Sequence, residues 1–492
     1  MTDESLKEEI FINVTPSEVR AALVENGVLQ EVYIERAARR GLISNIYKGR
    51  VLRVLPGMQA AFIDIGLERT AFLHASDIAR RGVPDNGDEI PAIRDLVREG
   101  DEIMVQVAKD PLGNKGARLT TYITLPSRYL VLLPHGETVG ISARIEDEEE
   151  RERLRATVAE LLDENGLACG AIVRTVAEGT GREALAADLR YLMKLWGVVQ
   201  ERCSKRSVKS LVHEDLSLPL RILRDMVTGD VERVLVDSRS DFDAMREFAE
   251  IYWQDNGPGI ELYKRRRPIF DLHGIEDEIH KSLDRNIPLK SGGYLIFDQT
   301  EAMTTIDVNT GGYVGHRNLE ETIYRTNLEA AVAIARQLRL RNLGGIIIID
   351  FIDMDLPEHR DNVLQVLEQA LSRDHARHQI TPVSPLGLVE MTRKRTRESL
   401  QHILCEDCPT CEGRGFVMTA ETACFEIFRE IIRQSRQFEF EEVMVLASQE
   451  VIELLLDEQA RSLAELEEQT GKSIRLQTEA LYQQDQFDVV LM

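Results

Sequence analysis

The chain has 492 residues, too many for one ordinary core, so length alone points to three or more folding units. Its hydrophobic fraction of 43% makes large buried cores feasible and excludes wholesale disorder. The formal net charge of −24 excludes a protein that coats nucleic acid by global attraction, although basic clusters at Lys264, Arg265, Arg266 and Arg267 and at Arg393, Lys394, Arg395 and Arg397 leave room for local phosphate contacts. The aliphatic run Ile346 to Ile349 is far short of the ~18 residues of a membrane-spanning helix, and the polar, acidic start from Met1 to Ile10 is unlike a secretory signal. Six cysteines, three of them between Cys405 and Cys411, read as intracellular thiols and metal ligands rather than a disulfide framework. The expectation is a cytoplasmic protein without a membrane span.

In chain order, residues 1–40 mix short apolar runs (Ile10, Ile12, Val14) with a helix-like stretch from Ser17, which fits as its N-cap. From Asn45 the period changes to two, over Tyr47 to Leu55, Met58 to Ile65, Thr70 to His74 and Glu102 to Ala108. Gly49, Gly57, Gly66 and Gly100 punctuate these runs, which together predict a small barrel. A strand at Tyr129 to Pro134, a helix at Glu146 to Glu164, a strand at Ala171 to Val176 and a helix from Glu183 suggest an α+β unit. Tyr294 to Phe297 and Ala302 to Val308 read as strands joined by a turn at Thr300 and Glu301. A helix follows, with Asn318 as N-cap, Glu321 completing a capping box, and Leu319, Ile323, Ala330, Ile334 and Leu338 at helical spacing. It stops near Asn342, with Gly344 and Gly345 as terminators, before a buried strand at Ile346 to Ile349. Strand, helix, strand in this order predicts a βαβ crossover with parallel neighbours.

Three patterns carry chemistry. Asp307 lies late in the first of those strands, Asn309 projects to the same side two residues on, and Asp350 ends the second. The carboxyl ends of parallel strands line the ligand crevice of open α/β sheets. Two carboxylates gathered there suit Mg²⁺, which polarises a phosphoryl oxygen and activates water for in-line attack. Each aspartate taken alone equally fits a helix or turn cap. Phe62 and Phe72 fall on the more polar faces of their barrel strands, as base stacking requires, and Lys115, between Gly113 and Gly116, could meet a phosphate; edge-of-core phenylalanines fit the same pattern. Cys405, Cys408 and Cys411 form C-x-x-C-x-x-C. Tetrahedral zinc needs four ligands, so either His402 and Cys405 complete a local site or a second subunit supplies a pair. The run also fits iron–sulfur ligation or free thiols, but a fourth nearby cysteine is missing.

The runs Glu301 to Gly311, Ala335 to Gly345 and Ile349 to Met354 closely resemble the ribonuclease E/G family, as do Asn45 to Gly49, Ala60 to Asp64, Gly113 to Ala117 and Leu119 to Thr121. The resemblance covers essentially the whole chain. The chain ends soon after Phe487 to Val490, so it resembles the family's shorter members, which lack a long disordered scaffold. The implied fold is mixed α+β and multidomain. A discontinuous RNase-H-like domain (1–40 and 218–282) holds an inserted OB-fold barrel (41–121) and a 5′-sensor (122–217). A DNase-I-like catalytic domain (283–404), a zinc link (405–418) and a small α/β C-terminal domain (419–492) follow.

The resemblance further implies that Asp307 and Asp350 hold catalytic Mg²⁺ and that Asn309 contacts the scissile phosphate. It implies that Phe62, Phe72 and Lys115 hold RNA, and that Arg174 and Thr175 bind a 5′-monophosphate, with Val131 and Arg377 near the terminal nucleotide. The family's glycine in that pocket is Ser127 here. A bridging Zn²⁺ would use Cys408 and Cys411, with Cys405 an extra thiol, joining a homodimer that could pair into a homotetramer. The expected function is Mg²⁺-dependent cleavage of single-stranded, A/U-rich RNA, including rRNA precursors and mRNA, to 5′-phosphate and 3′-hydroxyl ends. The alternatives are a non-catalytic RNA-binding assembly protein and a phosphoesterase acting on DNA or small phosphodiesters.

Overall fold

The computed structural model describes residues 7–79, 91–111, 116–227, 231–252, 258–311 and 319–492. The chain divides into two compact units, residues 1–403 and 404–492. Asn318 and Lys115, anticipated as helix cap and phosphate contact, lie outside the described residues. Among the described residues no helix is long and apolar enough to cross a membrane.

Among the described residues the larger unit contains four sheets. The first has the order Gly259–Leu262, Val231–Val236, Glu8–Val14, Glu18–Glu25, Val28–Arg36, and so joins strands from distant parts of the chain. Here the expectation of a helix from Ser17 fails, because Glu18–Glu25 is a strand. It runs between two antiparallel partners, Glu8–Val14 and Val28–Arg36. Its residues from Ala21 to Glu25 are all buried, so the alternation that would have betrayed a strand is absent. Asn26 (φ 49°) and Gly27 (φ 78°) form the turn into Val28–Arg36, the two-residue Asn-Gly connection that matches the twist of a hairpin.

The second sheet has six strands, of which five close into a barrel and Ser210–His213 pairs with Ile46–Leu55 outside it. Ile46–Leu55, Ala60–Asp64, Ala71–His74, Arg118–Thr120 and Glu102–Lys109 pair in that order, and the last pairs back onto the first. Val51, Ala61, Ile63, Ala71, Leu73, Val105 and Leu119 fill it. Closure is tight: a Cβ on Gly116 would lie 1.9 Å from the Thr70 carbonyl oxygen. The third sheet, of four short strands between Leu125 and Val173, packs against the helices Glu148–Glu164 and Arg182–Lys205.

The fourth sheet has six strands in the order Asn286–Pro288, Tyr294–Gln299, Met303–Asn309, Gly345–Asp350, Leu388–Arg393, His378–Ile380. Met303–Asn309 and Gly345–Asp350 are parallel, and the helix Leu319–Leu340 lies between them in the chain. That helix and Pro357–Leu371 bury Ile306, Val308, Ile347 and Ile349. The Ile346 to Ile349 strand was expected to be buried throughout. Only its Ile347 and Ile349 side is, and Ile346 is 49% exposed, because this helix pair covers one face of the sheet.

A buried ionic cluster joins this layer to the first sheet. Arg339 pairs with Glu25 at 2.9 Å and with Glu31 at 3.0 Å, and all three side chains are nearly inaccessible to water. In the smaller unit the sheet order is Ser473–Thr478, Glu442–Ala447, Phe487–Leu491, packed with the helix Ala420–Gln437. Removing one member of a buried ion network strands the others without compensation. Arg339→Ala should therefore lower unfolding free energy by about 3–5 kcal/mol, read from denaturant titration.

Candidate active site

Asp307 and Asp350 are register partners on adjacent parallel strands. Neighbouring strands lie about 4.8 Å apart, so the two carboxylates leave the same sheet end side by side. Both are exposed, on the face opposite the helices. Burial, then the carboxylates of Asp307 and Asp353, push the Asp350 carboxyl above the usual range. Asn309 donates its side-chain N–H to Asp307 Oδ2 at 2.8 Å, so the same-face placement read from the sequence holds.

Residues with no obvious signature hold these side chains in place. Asn327, 0% exposed on the helix Leu319–Leu340, donates Nδ2–H to the Ile352 carbonyl at 2.7 Å and accepts the Ile352 N–H on Oδ1 at 3.1 Å. This clasp fixes the chain two residues beyond Asp350. Two residues further along the helix, Glu329 accepts the N–H groups of Lys290 (2.5 Å) and Ser291 (3.0 Å). The turn it holds packs on the end of the Asp307 strand. A Cβ on Gly311, whose φ is +62°, would sit 2.3 Å from the Gly292 carbonyl oxygen, so glycine is required there. A buried asparagine inside a helix pattern is the one sequence signal that could have marked Asn327.

On the barrel, Phe62 and Phe72 are cross-strand partners with ring centroids 6.4 Å apart, both half-buried. The same row continues to Arg53 on one side and Arg118 on the other. Both arginines are exposed, and Arg118 also pairs with Asp77 at 2.9 Å. The sequence reading found the two rings but not the flanking cations, because only strand register sets four separate segments in line.

The remaining anticipated residues are more dispersed. Ser127 is 1% exposed, and its hydroxyl donates to Asp188 Oδ1 at 2.6 Å rather than facing an open pocket. Arg174 donates to the Ser127 carbonyl at 2.5 Å and to Asp225 Oδ1 at 2.7 Å. Burial opposes ionisation of Asp225, but Arg224 and Arg174 outweigh it and hold the carboxyl below its usual range. Thr175 Oγ1 lies 2.8 Å from Ser142 Oγ, and Val131 is half-buried opposite Ile172. Arg377 arrives from elsewhere in the chain: Arg144, beside this group, donates to the His375 carbonyl at 2.5 Å, two residues before it.

In the smaller unit Cys408 and Cys411 lie on a tight turn in which Glu412 N–H meets the Cys408 carbonyl at 2.7 Å. The N–H of Gly415 points at Cys411 Sγ at 3.4 Å, and the backbone N–H groups of Cys411 and Thr410 hold the Cys408 thiol below its usual range. Among the described residues no group of three or more His, Cys, Asp or Glu is placed to hold a metal.

Residues 124–396 match the model of the Ribonuclease E/G family. The chain belongs to that family. The barrel, residues 43–120, matches the S1 RNA binding domain, and residues 407–491 match the RNase E/G thioredoxin-like domain. The chain is 55% identical over 489 residues to Ribonuclease G of Escherichia coli (strain K12), covering 98% of this chain and 99% of that one. It is 54% identical over 490 residues to Ribonuclease G of Haemophilus influenzae, with the same coverage. Against Ribonuclease E of Escherichia coli (strain K12) the identity is 38% over 463 residues, covering 93% of this chain but 43% of the relative. The Asp307 and Asp350 strands and the Asn327 clasp lie inside the 124–396 match. Asn327→Ala would leave both half-buried Ile352 backbone groups without the side-chain partner they have here. An unfolding free energy lower by about 2–4 kcal/mol is expected from denaturant titration.

Proposed function

We propose that this chain is a Mg²⁺-dependent endoribonuclease that hydrolyses single-stranded, A/U-rich RNA to 5′-phosphate and 3′-hydroxyl ends. Endoribonuclease activity rests on family membership and on near-full-length identity to Ribonuclease G. The single observation that carries the catalytic reading is the register of Asp307 against Asp350. The donor set fits a hard divalent cation, because two carboxylates leave adjacent strands side by side, and burial together with their mutual repulsion opposes charge on Asp350 that a cation would offset. When bound, Mg²⁺ supplies polarisation of the phosphoryl oxygen and activation of water.

The chain's own residues do the rest. Asn309 fixes Asp307 through its amide and reaches the scissile phosphate from the same face. Phe62 and Phe72 stack bases on the barrel, Arg53 and Arg118 meet the flanking phosphates, and Lys115 adds a further contact. Arg174, Thr175, Val131 and Arg377 form the 5′-monophosphate pocket, with Arg174 held ready by Asp225 and the Ser127 backbone. Natural substrates would be rRNA precursors and mRNA, with roles in 5′-end maturation of rRNA and in mRNA turnover.

The Cys408 and Cys411 turn fits zinc, because two sulfurs at C-x-x-C spacing share one tight turn, backbone N–H groups are directed at both, and those at Cys408 hold its thiol below the usual range. Two thiolates leave a tetrahedral set two ligands short, so we assign the other pair to a second copy and the assembly to a zinc-linked homodimer, able to pair into a tetramer.

Asp307→Asn should reduce cleavage of a fluorescent single-stranded oligonucleotide by at least about a thousandfold, as loss of charge stabilisation at a reacting centre does. Its binding to the same RNA should change little. In that assay wild type should be silent with chelator present and should prefer 5′-monophosphate to 5′-hydroxyl ends. Turnover retained by Asp307→Asn at saturating Mg²⁺ would remove the mechanism, and RNA binding without products in wild type would favour a purely assembling role. Changing both Cys408 and Cys411 to Ser should shift sedimentation toward monomer and release zinc. Unchanged mass with full zinc content would defeat the bridging assignment.

A further inference from the structure

Leu388 is the register partner of Asp350 on the antiparallel neighbour, so the hairpin leading into Leu388 stands beside the catalytic carboxylate. Its tip is firmly built. Gly387, at φ +83°, donates its N–H to the Ser384 carbonyl at 2.9 Å, and Ser384 donates its own to the Leu388 carbonyl at 2.8 Å. The Ser384 hydroxyl accepts the Leu388 N–H at 3.3 Å. This pinned turn holds Leu386 83% exposed. Between the tip and the segment that follows Asp350 lies a cleft of about 390 Å³, lined by Asp353, Met354, Asp355, Val363, Val383 and Leu386 among others.

Charge decides what enters. Asp353 and Asp355 line the cleft, on the segment that directly follows the Asp350 strand, so a phosphate is repelled. Arg360, the basic residue among the described lining residues, spends its Nε–H on the Met354 carbonyl at 2.8 Å. The volume sits at the small end of ligand pockets, which span roughly 300–1,000 Å³. A neutral planar group fits: its face against Leu386 and Val383, its N–H edge toward a carboxylate acceptor. We propose that this cleft binds the nucleobase of the nucleotide adjoining the scissile phosphate, with Leu386 as the packing wall. The proposal rests on the catalytic reading of Asp307 and Asp350. It makes Leu386 a binding residue that selects which phosphodiester is presented, and the barrel is left to grip the RNA farther away.

The test compares wild type, Leu386→Ala and Leu386→Phe on short single-stranded RNAs carrying one abasic nucleotide at each position around the cut. In wild type, an abasic site at one flanking nucleotide should raise KM about tenfold. Leu386→Ala should raise KM on intact RNA by a similar factor, with kcat changed less than about twofold, and the abasic site should then add little. Leu386→Phe should restore the wild-type KM and the abasic penalty. Equal KM and equal abasic penalties in wild type and Leu386→Ala, with unchanged melting curves, overturn the proposal. Asp307→Asn runs alongside: if it still cuts, the catalytic reading fails first, whereas an inactive Asp307→Asn with an indifferent Leu386→Ala sinks only the cleft.

Discussion

Two carboxylates one strand spacing apart repel each other, and nothing in their own chemistry keeps them together. The parallel pairing of Met303–Asn309 with Gly345–Asp350 holds them there, and burial, followed by the charges of Asp307 and Asp353, raises the Asp350 carboxyl. The surrounding structure keeps the register from slipping. Apolar side chains on the alternate positions, Ile306 and Val308 facing Ile347 and Ile349, are buried under two helices, and a one-residue slip would turn them all to water. Asn327 and Glu329 then fix the loops at the strand ends with side-chain bonds to backbone. Rigid loops around a charged pair are what positioning of a phosphodiester requires.

A chain with a net charge of −24 must bind RNA locally or not at all. The barrel, which matches the S1 RNA binding domain, sets an aromatic pair between two arginines in a row four strands wide. The cleft on the segment that follows Asp350 is instead lined by the carboxylates of Asp353 and Asp355, which repel phosphate. Between them the larger unit is braced by buried ion pairs. Asp374 and Arg393, almost without solvent contact, tie the loop that Arg144 touches to the strand that begins beside Asp350.

Much was legible because periodicity survives on half-buried elements. Four of the five barrel strands, the two aspartate strands and the helix between them were placed within a few residues, since exposed and buried positions alternate along much of each; Arg118–Thr120, only three residues long, was not. Glu18–Glu25 was misread for the complementary reason: a central strand buried on both sides shows no alternation, and its run of Ala, Leu and Val suits a helix equally well. The Asn26-Gly27 turn beside it was the overlooked signal. Strand-end spacing singled out Asp307, Asn309 and Asp350, and the resemblance added the roles expected of them.

The amino-acid order thus settled which segments are strands or helices wherever a polar face alternates with an apolar one. It also settled that two aspartates end neighbouring strands of one crossover. Tertiary structure alone decided that Arg53 and Arg118 flank the phenylalanines, that Asn327 clasps Ile352, that the Ser127 hydroxyl turns inward to Asp188, and that Leu388 pairs with Asp350. These pairings depend on register and on packing between segments far apart in the chain, quantities that local pattern does not encode.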